Sequence, residues 1–156
     1  MSENKQASIQ IRLDDDLKVA MRERDEITKL TLRSLKAAIT EASKVGGSHT
    51  LDDEAILVVA QKQAKQRRDA AAEYDQADRP EQAAQERAEL AILERYLPQQ
   101  LTEPEIEEIV RGVIAETGAT SMGDMGKVMS ATMPHVAGVA DGKVVSQIVR
   151  RQLSGK

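Results

Sequence analysis

The segment GDMGKVMSATMPHVAGVADGKVV, Gly123 to Val145, decides between two folds. It carries Gly123, Gly126, Gly138 and Gly142, three methionines, and one lysine near each end. Read as a phosphate cradle, it would require an α/β fold with a strand before it and the pattern G-x-x-x-x-G-K-[ST]. Ser121 stands where the first glycine belongs, Val128 stands where the hydroxyl belongs, and no strand pattern precedes them. Read as helices, the segment is coherent. Ser121 can cap a helix with Asp124 three residues on. Met125, Val128, Met129 and Met133 then face inward, and Pro134 interrupts or ends the helix. Gly138 supplies a turn, and Asp141 caps a last helix with Val144, Val145, Ile148, Val149 and Leu153 on its apolar face. The helical reading implies an all-α chain in which glycines allow close helix approach and methionines fill gaps.

Apolar residues recur at helical spacing almost everywhere in the chain, and only SIQIRL alternates briefly like a strand. A first helix is expected from about Leu13 to Arg24, facing inward with Leu13, Leu17, Ala20 and Met21. The acidic run Asp14-Asp15-Asp16 then suits its start. A second carries Ile27, Leu30, Thr31, Leu35, Ala38, Ile39 and Ala42 and stops at Gly46-Gly47. A third starts near Asp52, with Thr50 as the alternative cap, and runs to about Ala77. Pro80 opens a fourth, bearing Leu90, Leu93, Tyr96 and Leu97, which Pro98 ends. The third and fourth should form an antiparallel hairpin around QADRP. LPQQLTEPEIEEI reads as a domain boundary. Thr102 and Glu105 there suit a capping box, and Gly118 stops the helix that follows. The expected architecture is two small helical domains: residues 1–97, a helical bundle with a long hairpin, and residues 98–156, a three-helix domain.

Composition narrows the function classes. The 156 residues carry a net charge of −4, no cysteine, no Phe and no Trp, with Tyr74 and Tyr96 the only aromatics. The core must be aliphatic. Acidity argues against a dedicated nucleic-acid binder, so RNA contact would need a local patch, and two tyrosines cannot supply stacking platforms. The absence of cysteine excludes disulfides and thiolate chemistry and fits a reducing cytosol. No hydrophobic signal region opens the chain, and the longest apolar run, AILVVA at Ala55–Ala60, is too short to span a bilayer. No membrane partner and no small-molecule cofactor are expected.

Several segments, in order, carry a resemblance. MGKVMSATMPHVAGVADGKVVSQIVRRQL resembles the C-terminal tail of the B subunit of the tRNA-dependent glutamyl/aspartyl-tRNA amidotransferase. The matching positions are Gly126, Val128, Met129 and Thr132, then Gly138, Ala140 and Asp141, then Val145 and Val149. KQRRDAAAEY and AELAILERYLPQQLTEPEIEEIV resemble the stand-alone YqeY family, and the likeness spans about Leu13 to Leu153. The resemblance implies an all-helical, two-domain fold and a link to tRNA, because the amidotransferase tail contacts the tRNA body. It does not imply catalysis: the glutamine-hydrolysing and transamidating sites lie elsewhere in that enzyme, so a carbon–nitrogen ligase label would be a family label. It also implies possible association with an amidotransferase or aminoacyl-tRNA synthetase complex. Where the tail tends to carry lysines, this chain has Ser130, Met133, His135 and Val139. Each lost cation removes a possible phosphate contact, which leaves a protein–protein adaptor as the rival reading.

The candidate RNA-binding residues are Lys127, Lys143, Arg150 and Arg151 in the tail-like segment. A secondary basic stripe is Lys62, Lys65 and Arg68, more simply read as a solvated helix face. Arg67 differs. It points with Ile56, Ala60, Ala64, Ala71 and Tyr74, the apolar face, and therefore needs a carboxylate. Glu86 or Glu89 on the facing helix is its expected partner, in a structural ion pair that fixes helix register. His135 with Ser130 or Ser121 and Asp141 supplies triad residue types without a nucleophile-elbow context. His49 is expected in solvent. No catalytic residue and no metal site is assigned.

Overall fold

A computed structural model describes residues 8–45, 47 and 50–155. The fold is all-α. The helices are α1 (Ser8–Glu23), α2 (Glu26–Val45), α3 (Asp53–Gln76), α4 (Pro80–Glu94), α5 (Glu103–Thr117), α6 (Met125–Val136) and α7 (Gly142–Leu153), with a short 3-10 turn at Met122–Asp124. The chain divides into two compact units, Met1–Leu97 and Pro98–Lys156. The expected stop at Gly46 and the solvated His49 lie outside the described residues.

In the first unit the termini are set by local chemistry. Asp52 caps α3 by accepting from the Ala55 amide at 2.8 Å. Pro80 occupies the first turn of α4, where a missing N–H costs nothing. α3 and α4 make the most extensive packing pair of the unit. Ala60, Ala64 and Ala71 on α3 and Ala83 on α4 are buried, so the helices meet through methyl groups. The hairpin turns through Asp78, which adopts a left-handed φ of 58°, a conformation that short polar Asp tolerates better than most residues. Leu13, Leu32, Leu35, Ile56 and Leu93 fill the centre of the unit, closed by Tyr96.

Several sequence expectations for α1 and α2 are corrected. SIQIRL is helix, not strand, and α1 begins at Ser8 rather than near Leu13. Ile9, Leu13 and Leu17 recur every four residues and all pack against the core, which is helical spacing. Asp14, Asp15 and Asp16 therefore lie inside α1 instead of at its start. Asp14 is used in an ion pair with Lys36 at 2.8 Å. Met21 is 50 % exposed, and its sulfur meets Arg33 rather than the core. On α2 the buried face is Thr28, Thr31, Leu32, Leu35, Ile39 and Ser43, while Ile27 and Leu30 are exposed. Asp25 fixes that rotation. Its carboxylate accepts from the Thr28 amide at 3.1 Å and the Thr28 hydroxyl at 2.7 Å, turning Thr28 inward.

The second unit is built from α5, α6 and α7. Thr102 caps α5 by accepting from the Glu105 amide, and Gly118 ends it with φ 70°, a left-handed turn that suits glycine. Asp124 accepts from the amides of Thr120 and Ser121 and leads the chain into α6. Pro134 lies inside α6, which closes two residues later at Val136. Gly138 turns with φ 83°, and Asp141 caps α7 by accepting from the Lys143 amide at 2.9 Å. Val128, Val136, Val145, Ile148 and Val149 form the core. Thr132 is fully buried among them, and its hydroxyl has no hydrogen-bond partner among the described residues.

Candidate functional site

α7 is strongly two-faced. Val145, Ile148, Val149 and Leu153 are buried, which leaves Lys143, Arg150 and Arg151 exposed on the outer side. Lys143 and Arg150 are seven residues apart and share a stripe at about 100° per residue. Arg151 turns toward α5, where its guanidinium lies 3.5 Å from the Glu107 carboxylate. The neighbouring Gln152 side chain donates to the Glu107 carbonyl at 2.9 Å.

Lys127 has a different setting. Its ammonium donates to the Thr117 carbonyl at 3.0 Å, at the C-terminal end of α5. That end carries partial negative charge and unsatisfied carbonyls, so the lysine acts as a cap. Lys127 also faces Asp124. The carboxyl of Asp124 is held below its usual range, first by the Thr120 and Ser121 amides, with Lys127 adding to them. Thr117 and Glu107 are ten residues apart on α5, about 15 Å along its axis at 1.5 Å per residue. Lys127 and Arg151 are thus attached near opposite ends of that helix. The structure brings Lys143, Arg150 and Arg151 together on α7 and sets Lys127 apart from Arg151.

On α3, Lys62 and Lys65 are exposed and Arg68 is half-buried. Lys65 lies 3.5 Å from Asp69, one turn on. Arg67 points into the α3–α4 interface. Its Nε is 2.9 Å from Glu89 and 3.8 Å from Glu86, and all three side chains are about one-fifth exposed. The N–H is not aligned on either oxygen, so the attraction is coulombic rather than a directed hydrogen bond. Burial, and then the Glu89 charge, push the Glu86 carboxyl above its usual range, against the pull of Arg67.

His135, Ser130 and Ser121 are exposed, while Asp141 is engaged at the start of α7. Among the described residues no cluster of three or more His, Asp or Glu could hold a metal ion. No described helix is long and apolar enough to cross a membrane.

Sequence reasoning passed over one feature. A cleft of about 320 Å³ runs along α1 in the first unit. α1 contributes Arg12, Asp16, Val19, Ala20 and Glu23, which fall on one helical face. Asp25, Thr28 and Arg95 complete the lining, and the Arg95 charge acts on Asp25. The Arg12 guanidinium stacks on the Tyr96 ring at 4.7 Å and donates to the Arg95 carbonyl at 2.6 Å. The Tyr96 hydroxyl donates to Asp16. The polar spacing Arg12, Asp16 and Glu23, at i, i+4 and i+11 on α1, was the available signal. A helix started near Leu13 leaves Arg12 outside that face.

Comparison with known proteins fits this architecture. A family model described as "Yqey-like protein" matches residues 10–153. The chain belongs to the YqeY family. The match runs from the first turn of α1 to the end of α7, so both units are part of the YqeY pattern. One curated relative is "Altered inheritance of mitochondria protein 41, mitochondrial" of Pyrenophora tritici-repentis. It is 33 % identical over 150 residues, covering 93 % of this YqeY chain and 81 % of that protein. A protein of the same name from Meyerozyma guilliermondii is 39 % identical over 85 residues, covering 54 % of this chain and 44 % of its own.

Proposed function

We propose that the protein is a non-catalytic accessory module that binds tRNA or associates with tRNA-dependent amidation, its C-terminal unit docking on the tRNA body. The observation that carries the reading is α7. Its apolar face is consumed by the core, and its cations stand outward in the segment resembling the amidotransferase tail. Phosphate contacts by Lys143 and Arg150 would supply affinity without reading bases. Lys127 and Arg151 hold intramolecular contacts that RNA would have to share or replace.

A second reading, a protein–protein adaptor without RNA contact, is favoured by the net charge of −4 and by the intramolecular partners of Lys127 and Arg151. The cysteine-free composition suits a reducing cytosol, while the named relatives are mitochondrial. Fluorescence anisotropy with total tRNA, at low and near-physiological salt, separates the two readings. Saturable binding that weakens steeply with salt supports the RNA module. Absence of binding at low salt removes it and favours the adaptor, for which nuclease-treated co-purification of a defined partner is the next measurement.

A further inference from the structure

Asp14 on α1 pairs with Lys36 on α2, and Met21 meets Arg33, so the two helices run antiparallel from their turn at Arg24 and Asp25. Near that turn the pair presents an exposed outer face. Lys18, Met21 and Arg22 stand at i, i+3 and i+4 on α1, on the side not taken by the buried Leu13 and Ala20. Leu30 and Arg33 stand at i and i+3 on α2, outside its buried Leu32 and Leu35. All five are exposed, and the Met21 sulfur, 3.9 Å from the Arg33 guanidinium, joins the two halves.

The face combines apolar groups in water with uncompensated cations. Met21 and Leu30 are half exposed. Among the described residues Lys18, Arg22, Arg24 and Arg33 have no carboxylate within ion-pair distance, in a chain whose net charge is −4. The nearby carboxylates are engaged elsewhere: Asp14 by Lys36, Glu26 by Lys29 and Asp25 by Thr28. Glu23 lines the cleft, on another side of α1. Asp15, one turn before Lys18, is the carboxylate left on this side of the helix. Arg24 adopts a left-handed φ of 57°. Glycine takes that helix-ending conformation with less strain, so the turn's own geometry does not call for an arginine.

We propose that this face docks an acidic amphipathic helix of a partner protein. Apolar residues of that helix, at i and i+3 or i+4, would cover Met21 and Leu30. Carboxylates on its flanks would meet Lys18, Arg22, Arg24 and Arg33. Protein interfaces favour methionine and arginine, the first because its flexible thioether adapts to the group laid on it. A phosphate backbone would satisfy the cations and leave Met21 and Leu30 in water. A flat anionic bilayer would press Asp15 and Glu26 against its phosphates. The face lies in the first unit and stands whether or not α7 meets RNA.

The test is fluorescence anisotropy of a labelled helical peptide of about four turns, leucine on one face and glutamate on the other, titrated with the full chain. The same peptide with lysine for glutamate is the comparator. The expected result is saturable one-to-one binding of the acidic peptide, with the lysine peptide weaker by about tenfold or more. Met21→Ser and Leu30→Ser should each weaken the acidic peptide by about fivefold, and Arg22→Gln and Arg33→Gln by about threefold. These positions are exposed, so the four melting temperatures should stay at the parent value. Arg24→Gly should raise the melting temperature by roughly 2 °C and also weaken the peptide, whereas an arginine that serves the turn alone would give no loss of binding. Equal affinity for the two peptides overturns the proposal, as does no saturable binding at about millimolar protein or parent affinity in both serine variants. Binding of tRNA or of phosphatidylglycerol vesicles at this face, lost in Arg22→Gln and Arg33→Gln while the acidic peptide fails to bind, overturns it in favour of a phosphate site.

Discussion

The phenolic hydroxyl of Tyr96 donates a hydrogen bond to Asp16, 80 residues away in sequence, and with the Arg12 contacts it fastens the chain just after α4 to α1. Tyr96 is 5 % exposed, and Arg12 lies over its ring on the outer side. Tyr96→Phe should cost about 1 kcal/mol, the usual net worth of one hydrogen bond, because Asp16 is half-exposed and can recover water. That corresponds to roughly 3 °C in melting temperature for a chain of this size. Burial, followed by the Asp16 hydrogen bond and charge, pushes the phenol well above its ordinary ionisation range. A raised folded value means full stability below the unfolded tyrosine value of about 10 and loss as pH rises above it. Alkaline unfolding followed by circular dichroism should therefore begin above that pH. Tyr96→Phe should soften the slope.

Glu86 and Glu89 should behave oppositely although both face Arg67. Glu89 holds the short contact, so Glu89→Gln should destabilise the hairpin by about 1–2 kcal/mol. Glu86 is raised by burial and by its like-charged neighbour. A raised carboxyl contributes stability below its unfolded value and loses it as pH climbs through the folded one. Glu86→Gln should be neutral or stabilising by under about 1 kcal/mol at pH 7, with the gain vanishing below about pH 4. Urea titrations of both variants at the two pH values check the contrast. Equal destabilisation by both would contradict it.

Acid stability should be set by hydrogen-bonded aspartates at helix starts. Asp53 accepts from the Ser8 hydroxyl and the Ile9 amide, joining the start of α1 to that of α3, and Asp124 accepts from Thr120 and Ser121. These bonds hold both carboxyls below the usual range. A depressed value gives stability present above the unfolded value near 3.9, lost as pH falls through the folded one. Thermal melts across the acid range should show a shallower acid limb for Asp53→Asn and Asp124→Asn. The Asp53 change acts on the first unit and the Asp124 change on the second.

Thr132 buries a hydroxyl without a partner in the second core. Valine has nearly the same shape and no polar atom to desolvate. Thr132→Val should raise stability by about 1 kcal/mol. A drop of that size in a denaturant titration would mean that the hydroxyl bonds to a buried water.

If the α7 stripe meets RNA phosphates, Lys143→Glu and Arg150→Glu should each lower the magnitude of the log-affinity against log-salt slope by about one. Lys127→Met should instead cost about 0.5 kcal/mol of stability through the α5 terminus, with a smaller change in slope. Anisotropy and thermal melts on the same samples separate the two roles.

Much of this molecule could be read before folding it. Helix stops depend on residues with few alternatives. Pro80, Gly118, Gly138 and Asp141 mark turns and caps because ring closure, absent Cβ or a short carboxylate dictates local backbone. The face of a helix is less legible when threonine and alanine share it with leucine. On α2 the choice between Ile27 and Thr28 was settled by a capping bond from Asp25, a contact that hydrophobicity cannot register. The cleft was illegible for a related reason. Its walls come from α1, the α1–α2 junction and the end of α4, and Arg95 is 83 residues from Arg12 in the bond that joins them. The grouping of cations in the tail-like segment depended on which side chains α5 claims, which spacing along one helix does not reveal.

Tyr74 and Tyr96 both precede Pro98, and the chain has no Phe or Trp. Every near-ultraviolet chromophore therefore belongs to the first unit, and the second is optically silent there. Tyrosine emission and near-ultraviolet dichroism follow one unit alone, while far-ultraviolet dichroism follows both. Their difference tracks the melting of α5, α6 and α7 in the unlabelled protein. One tryptophan introduced on the exposed side of α7 would give that unit a colour of its own.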